Sequence, residues 1–398
     1  MERYDWKRTI SVNILILKVL GLWPGGDETY KPNFYMLWSI FSITLFTIGH
    51  PFFQTINIIF IFDDFEAVIA TIYVTFSEFL IILKAYLTIK NMKILKQLMV
   101  TLDSDLFQPR NAEQIILFEP GLKFWKINIS VFWTMALGTI FFWSTYPIFD
   151  KSVHERRLPF LAWYPFNTKI SPYYEITYAY QVIGVTFSAS TALSVAALIT
   201  AYYMYIAAQF VILSDDVRHL YDKSNNSINF KMKLINCVTH HRTILKFAEE
   251  SSKFSNWIIF GQFFSSAATL ALTMFQLTTV AAFSSEFFSL MGFLASITLE
   301  IFMYCWFGNE VEIESSKVAY TAFESNWMDR TTDLKNDIIF FVRRCQKPLK
   351  MSALQLFYLS LETFMKVSST YLAISSMKSL NIKLQILRAS YSYFALLH

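Results

Sequence analysis

Apolar runs of 20 or more residues recur along this chain from about Tyr35 to its carboxyl end, and that recurrence limits its fold more than any other feature. A helix needs about 20 largely apolar residues to cross a bilayer, and in lipid a single segment satisfies its backbone donors and acceptors only as a helix. With 54% hydrophobic residues, including 40 Phe and 21 Tyr among 398, the chain has apolar surface for lipid as well as for its own interior. The expected class is all-α, a polytopic membrane protein with seven transmembrane helices. Those spans run roughly over Tyr35–Ile61, Ala67–Thr88, Ile127–Phe149, Ile176–Ala208, Phe254–Phe283, Phe287–Phe307 and the segment from Ser352 to the end. About 30 residues at 1.5 Å each make a rod of roughly 45 Å, so the fourth and fifth helices should project beyond the bilayer. No fixed-period repeat or long Gly/Ser/Pro linker divides the sequence, and three cysteines, Cys237, Cys305 and Cys345, suggest no disulfide framework.

Charge then orients the spans. Alternate connections hold 25 Lys and Arg on one side, against Lys151, Arg156, Arg157 and Lys169 on the other. Positive charge stays in the cytoplasm, so the amino terminus is expected inside and, after seven crossings, the carboxyl terminus outside. G-protein-coupled receptors have the opposite orientation, and their Asp-Arg-Tyr and Asn-Pro-x-x-Tyr landmarks are missing. The sequons at Asn128 and Asn225 should face the cytoplasm and stay unglycosylated. Charged stretches at 90–126, 214–253 and 308–350 keep helical periodicity, as in Leu95, Leu98, Met99 and Leu102, and read as inner helices.

Ionisable residues inside spans are costly and mark function by default. His50 lies 11 residues before Ile61, and Glu78 lies 12 residues after Glu66. Both therefore sit roughly 17 Å below the outer turn, where they could pair. Glu300 lies deeper with no evident partner, and Lys84 is near enough to the inner surface to extend its ammonium to water. His240-His241 has no acidic or cysteine cluster at ligand spacing and reads as a solvated pair rather than a metal site. No phosphate-binding glycine loop or nucleophile motif occurs, so no enzyme, cofactor or metal is expected. Nor do basic and aromatic residues interleave as for nucleic acid. Outer halves of spans two to four carry Tyr73, Phe76, Phe142, Trp143, Tyr146, Tyr180, Gln181, Gly184 and Phe187. That mixture of aromatic surface and a few hydrogen-bonding groups suits a pocket for small volatile ligands.

Three stretches together resemble the insect odorant receptor family. The outer connection reads Leu158-Pro159-Phe160-Leu161-Ala162-Trp163-Tyr164-Pro165-Phe166, then Ser171-Pro172-Tyr173-Tyr174-Glu175. The sixth span ends Tyr304-Cys305-Trp306-Phe307-Gly308-Asn309-Glu310-Val311, followed by Glu314-Ser315 and Trp327. The terminus carries Gln346-Lys347-Pro348-Leu349-Lys350, Ser360-Leu361-Glu362-Thr363-Phe364 and Ser390-Tyr391-Ser392-Tyr393-Phe394. The resemblance implies an odorant-tuned subunit in the plasma membrane of a sensory dendrite, assembled with the odorant receptor co-receptor into a tetrameric nonselective cation channel that needs no G protein. It implies a cytoplasmic segment over 1–34, spans one to four with an outer-half ligand pocket over 35–208, and a subunit anchor over 209–351 that includes spans five and six. The terminal segment, 352–398, would supply the pore helix, with Ser390, Tyr391, Tyr393 and Leu396 as pore positions and Leu396 near an apolar gate. A gustatory receptor of the same architecture is the nearest alternative, but its terminal Thr-Tyr-x-x-x-x-x-Gln-Phe pattern is not found. A transporter should show repeated halves or broken midplane helices.

One departure stands out. Val367–Gln385, 19 residues rich in Ser and Lys, separates Leu356–Lys366 from Ile386–Leu397, which joined directly would form a 23-residue helix. Val codons begin GT and CAG encodes Gln, so a retained in-frame intron accounts for the segment; a longer translated terminus with a loop is the alternative.

Overall fold

The structure is a computed structural model and describes residues 3–26, 30–63, 65–149, 151–220, 227–281, 283–325 and 332–376. A short 3₁₀ turn at Trp6–Ile10 leads into α1 (Ser11–Val19). The first long helix is composite, with α2 (Phe34–Ser42), a π-helical stretch over Ile43–Ile48, and α3 (Gly49–Phe60). Asn33 starts it by accepting from the Met36 amide at 2.9 Å, as a helix amino-terminal cap does. The wide turn has a local cause: Pro51 has no N–H and its ring crowds the carbonyl four residues back, so the helix widens just before it.

Then follow α4 (Phe65–Lys90), α5 (Met92–Leu102), α6 (Ala112–Phe149), α7 (Tyr173–Arg218), α8 (Ser227–Thr279), α9 (Ser285–Glu324) and α10 (Thr332–Cys345). Among the described residues, five helical segments are long and apolar enough to cross a membrane: Phe34–Phe60, Ala112–Phe149, Tyr173–Arg218, Phe230–Leu277 and Ser285–Glu324. At 1.5 Å per residue, α8 with its 53 residues is roughly 80 Å long, well beyond the roughly 30 Å of a hydrocarbon core. Much of the charged stretches is helical, as their periodicity predicts: α5 lies in 90–126, α8 begins within 214–253, and the end of α9 and all of α10 lie in 308–350.

Helix α7 is the axis of the bundle, packed against α6, α8, α9 and α4. All of its residues from Leu193 to Phe210 are buried. A helix apolar on every face belongs in an interior, and the run Val195-Ala196-Ala197-Leu198-Ile199 is of that kind. Around this part the amino-terminal turn locks in place. Trp6 is fully buried and donates its indole N–H to the Phe107 carbonyl at 3.1 Å. Tyr205 donates to the Trp6 carbonyl at 2.8 Å, and Gln209 donates to the Phe107 carbonyl at 3.1 Å.

The histidine pair is corrected here. His240 is 1% exposed and donates from Nε2 to Gln209 Oε1 at 2.9 Å, while His241 meets Phe341 edge-on at 5.8 Å. Helix packing, which no local pattern reveals, removes both from solvent.

The terminal segment also differs from its expected helix. Leu356–Ser360 is not helical: Ser352–Ala353 (β1) pairs antiparallel with Phe357–Tyr358 (β2), and α11 begins only at Leu361, where Ser360 Oγ accepts from the Thr363 amide at 3.2 Å. The turn holds Leu354 and Gln355 at φ of 51° and 60°, with the Leu356 amide on the Ala353 carbonyl at 2.9 Å. Left-handed turns of this kind normally carry Asn-Gly, so the hairpin has no sequence signal. Tertiary contact holds it. Phe357 packs on Phe263 at 4.8 Å, and an added Cβ on Gly308 would lie 2.6 Å from Leu359 Cβ. Helix α11 passes Lys366 without a break and extends to Ser376. The rest of Val367–Gln385, and the pore positions Ser390, Tyr391, Tyr393 and Leu396, lie outside the described residues.

Candidate ligand-binding site

Midway along the bundle, toward the end that carries connection 151–172, α4, α6, α7, α8 and α9 border a cavity of about 120 Å³. Its walls are mostly apolar, with Val74, Ile81, Phe132, Trp143, Val185, Phe293 and Ile297 among them. For scale, an engineered cavity of about 150 Å³ holds benzene.

Two buried polar pairs lie beside this space. His50 Nδ1 donates to Glu78 Oε1 at 2.6 Å, with the two side chains 0% and 4% exposed. The pairing expected from equal depth is therefore present, and the composite first helix supplies it, because His50 stands between the π turn and Pro51. Lys84 Nζ meets Glu300 Oε1 at 2.6 Å, at 1% and 7% exposure, and Tyr304 donates to the same oxygen at 2.9 Å. This corrects the reading of Lys84 as reaching for water and of Glu300 as partnerless. A charge away from water is tolerated when a counter-charge and further hydrogen bonds meet it. Counting depth from Asp64 and from Ser284 would have brought Lys84 and Glu300 within about one helical turn of each other, so the pair was within reach of sequence reasoning.

Connection 151–172 reaches a wall residue of the cavity, Trp143, through Phe160. Gln181 clamps Phe160 through both its amide atoms, accepting from the Phe160 N–H at 3.0 Å and donating to its carbonyl at 3.0 Å. It also donates to Tyr164 Oη at 3.3 Å, and burial pushes that phenol up to about 12, so it remains a neutral hydroxyl. The Phe160 ring stands edge-on between His50 and Trp143, 5.5 Å from each. Above it is a smaller cavity of about 70 Å³, bordered by Gln54, Tyr146, Arg157, Phe160 and Glu286.

The structure distributes the expected pocket residues around this centre. Trp143 borders the main cavity and Tyr146 the small one. Gln181 holds Phe160. Gly184 lets His50 approach, since an added Cβ would stand 3.3 Å from the imidazole. Tyr180 donates to the Leu45 carbonyl at 2.8 Å, one of the groups in the π-helical stretch. Phe187 packs on Phe46 at 4.6 Å, and Phe142 on Phe288 at 5.8 Å. Phe76 is 38% exposed. Tyr73 belongs to α4, but its side chain is outside what is described. The motif residues of the sixth span and terminus meet as well: Ser315 Oγ accepts from the Leu349 amide at 2.9 Å, and Phe302 packs on Phe364 at 5.3 Å.

The fold has solved counterparts. The insect olfactory receptor OR5 from Machilis hrabei, in complex with eugenol, superposes with a TM-score of 0.82 at 18% identity, covering 96% of this chain and 98% of that one. A second structure of that receptor gives a TM-score of 0.75. Among curated relatives, Odorant receptor Or1 of Anopheles gambiae is 25% identical across 95% of this chain and 97% of its own length. Odorant receptor 94a of Drosophila melanogaster is 20% identical across 91% and 94%. The 7tm odorant receptor profile matches residues 64–371, which includes α4 and the cavity, the clamp on Phe160 and the paired motifs of α9 and α11. This chain, a multi-pass membrane protein and not an enzyme, belongs to the 7tm odorant receptor family.

Proposed function

We propose that the chain is an odorant-tuned subunit that takes a small, largely apolar volatile molecule into the cavity between α4, α6, α7, α8 and α9. With the odorant receptor co-receptor, it gates a nonselective cation channel in the plasma membrane of a sensory dendrite. One observation carries this reading: the cavity approaches the size that holds benzene, its walls are mostly apolar, and Lys84 and Glu300 on its wall pair with each other. Binding sites for small molecules have this composition, apolar walls with a few placed polar groups. The chain crosses the membrane seven times, with its amino terminus in the cytoplasm and its carboxyl terminus outside, as the 25 to 4 division of basic residues implies. Ser390, Tyr391, Tyr393 and Leu396 line the pore, and 209–351 anchors the subunits.

The test is expression with the co-receptor, with and without residues 367–385, while recording odour-evoked cation current. Current that needs both subunits and falls with Trp143→Ala at unchanged surface level supports the proposal. Current indifferent to this chain overturns it. A tag after His398 that labels only in permeabilised cells overturns the topology.

A further inference from the structure

Helices α5 and α8 flank a groove of about 640 Å³, far from the apolar cavity in character, whose lining includes Lys93, Lys96, Gln97, Lys246, Phe247 and Glu250. Phe247 is buried at 2% exposure, whereas Lys93 and Lys246 are exposed, and their ammonium groups have no ion pair or hydrogen bond among the described residues. Lys96 is held in place: it donates to the Pro24 and Gly26 carbonyls at 2.8 and 2.5 Å and stands over the Trp23 ring at 5.0 Å. Glu250 accepts from Lys253 at 3.0 Å. The lining thus carries three cations against one carboxylate that is already engaged.

Helix lengths give the groove its depth. The 26 residues of α4 span roughly 39 Å, close to the 40–45 Å of a bilayer with its headgroups, and Lys93 lies just past their end. On α8, Glu250 is about 44 Å from the outer end at Thr279 by the same rise. Aromatic residues suited to the interface precede both: Tyr86, 56% exposed with Lys90 over its ring at 5.6 Å, and Trp257, also 56% exposed. Two helices therefore bring the groove to the water side of one headgroup layer. In the orientation proposed above, that layer is the cytoplasmic one, whose anionic lipids attract basic segments.

We infer that this groove binds the phosphorylated headgroup of an anionic lipid, with Lys93 from α5 and Lys246 from α8 pairing with its phosphate oxygens. A lysine serves phosphate as a point charge and needs no fixed fork geometry. The depth favours a lipid whose phosphates extend beyond the glycerol phosphate. Choline and ethanolamine headgroups bring a cation of their own to the same level and are disfavoured there.

The test titrates the purified full chain in uncharged detergent with dioctanoyl phosphatidylinositol bisphosphate and follows the melting transition. Dioctanoyl phosphatidylcholine supplies the chains without the added phosphates, and inositol trisphosphate the headgroup without the chains. Lys93→Gln with Lys246→Gln should bind the bisphosphate lipid about 25-fold more weakly, roughly fivefold for each ammonium removed. Lys93→Arg with Lys246→Arg should keep the affinity. Lys231→Gln with Arg343→Gln removes the same charge outside the groove and should leave binding as it is. Equal loss in the two glutamine pairs, or none in either, overturns the groove as the site. A bisphosphate lipid that shifts melting no more than phosphatidylcholine overturns the inference, and inositol trisphosphate binding as tightly as the lipid overturns its membrane source. No odorant or co-receptor enters these measurements, so failure of the channel proposal and failure of this one are told apart.

Discussion

Helix α7 joins two regions built on different rules. Between Tyr173 and Thr191 its buried positions are Tyr174, Thr177, Gln181, Gly184, Val185, Ser188 and Thr191, a single stripe at helical spacing. The opposite face shows Ile176 and Ile183 at 62% and 44% exposure. The stripe is polar or small and the outer face apolar, the reverse of a helix in water and the arrangement that lipid favours. From Leu193 to Phe210 the same helix is buried all round. The first region carries the Gln181 clamp on Phe160 and borders the apolar cavity; the second is the stretch to which Trp6 and Phe107 are tied. One-sided burial leaves this helix a face for lipid, and all-round burial makes it the anchor of the amino-terminal turn.

The charge pairs give the largest contrast. Lys84→Met alone leaves Glu300 buried without its counter-charge and should cost about 3–5 kcal/mol, seen as loss of surface protein and of the melting transition in detergent. Lys84→Met with Glu300→Leu should recover most of it; a double variant as poor as the single would show that the pair's position, not its charge balance, matters. Truncation separates the regions next. Leu198→Ala in the fully buried stretch should cost about 4–5 kcal/mol, and Ile297→Ala on the cavity wall about 2–3 kcal/mol, opposite ends of the range for matched truncations. Equal melting shifts would erase the distinction between the two regions.

Adding a methyl sharpens the same comparison. Gly308→Ala drives Cβ to 2.6 Å from Leu359 Cβ and should cost about 1–3 kcal/mol, because the hairpin and α9 are both fixed. Gly184→Ala meets only the His50 ring at 3.3 Å and should stay below about 1 kcal/mol, with its effect on odour response rather than on melting. Smallest of all, Gln355→Gly relieves a φ of 60° and should raise stability by about 0.5–1 kcal/mol, read as a melting temperature a few degrees higher.

Legibility divides along similar lines. Helix class and most span positions could be read from apolar runs, and the His50–Glu78 pair from counting residues against a membrane depth. The Lys84–Glu300 pair was missed although the same count would have found it. The β1–β2 hairpin was not legible, because Leu354-Gln355 is not a turn sequence and adopts left-handed geometry only under the contacts of Phe357 and Leu359. Tyr180, Phe187 and Phe142 read as pocket residues by type; the structure gives them to the π stretch, to Phe46 and to Phe288.

By itself the chain's order of residues determined that it enters a membrane as a bundle of helices and that its ionisable groups in the spans need partners, since both follow from the cost of leaving backbone or charge unsatisfied in lipid. Only the tertiary structure decided which helices surround the cavity and that Lys84 and Glu300 on its wall pair with each other. Those depend on how five rods pack against one another, which the order of residues along any one of them does not specify.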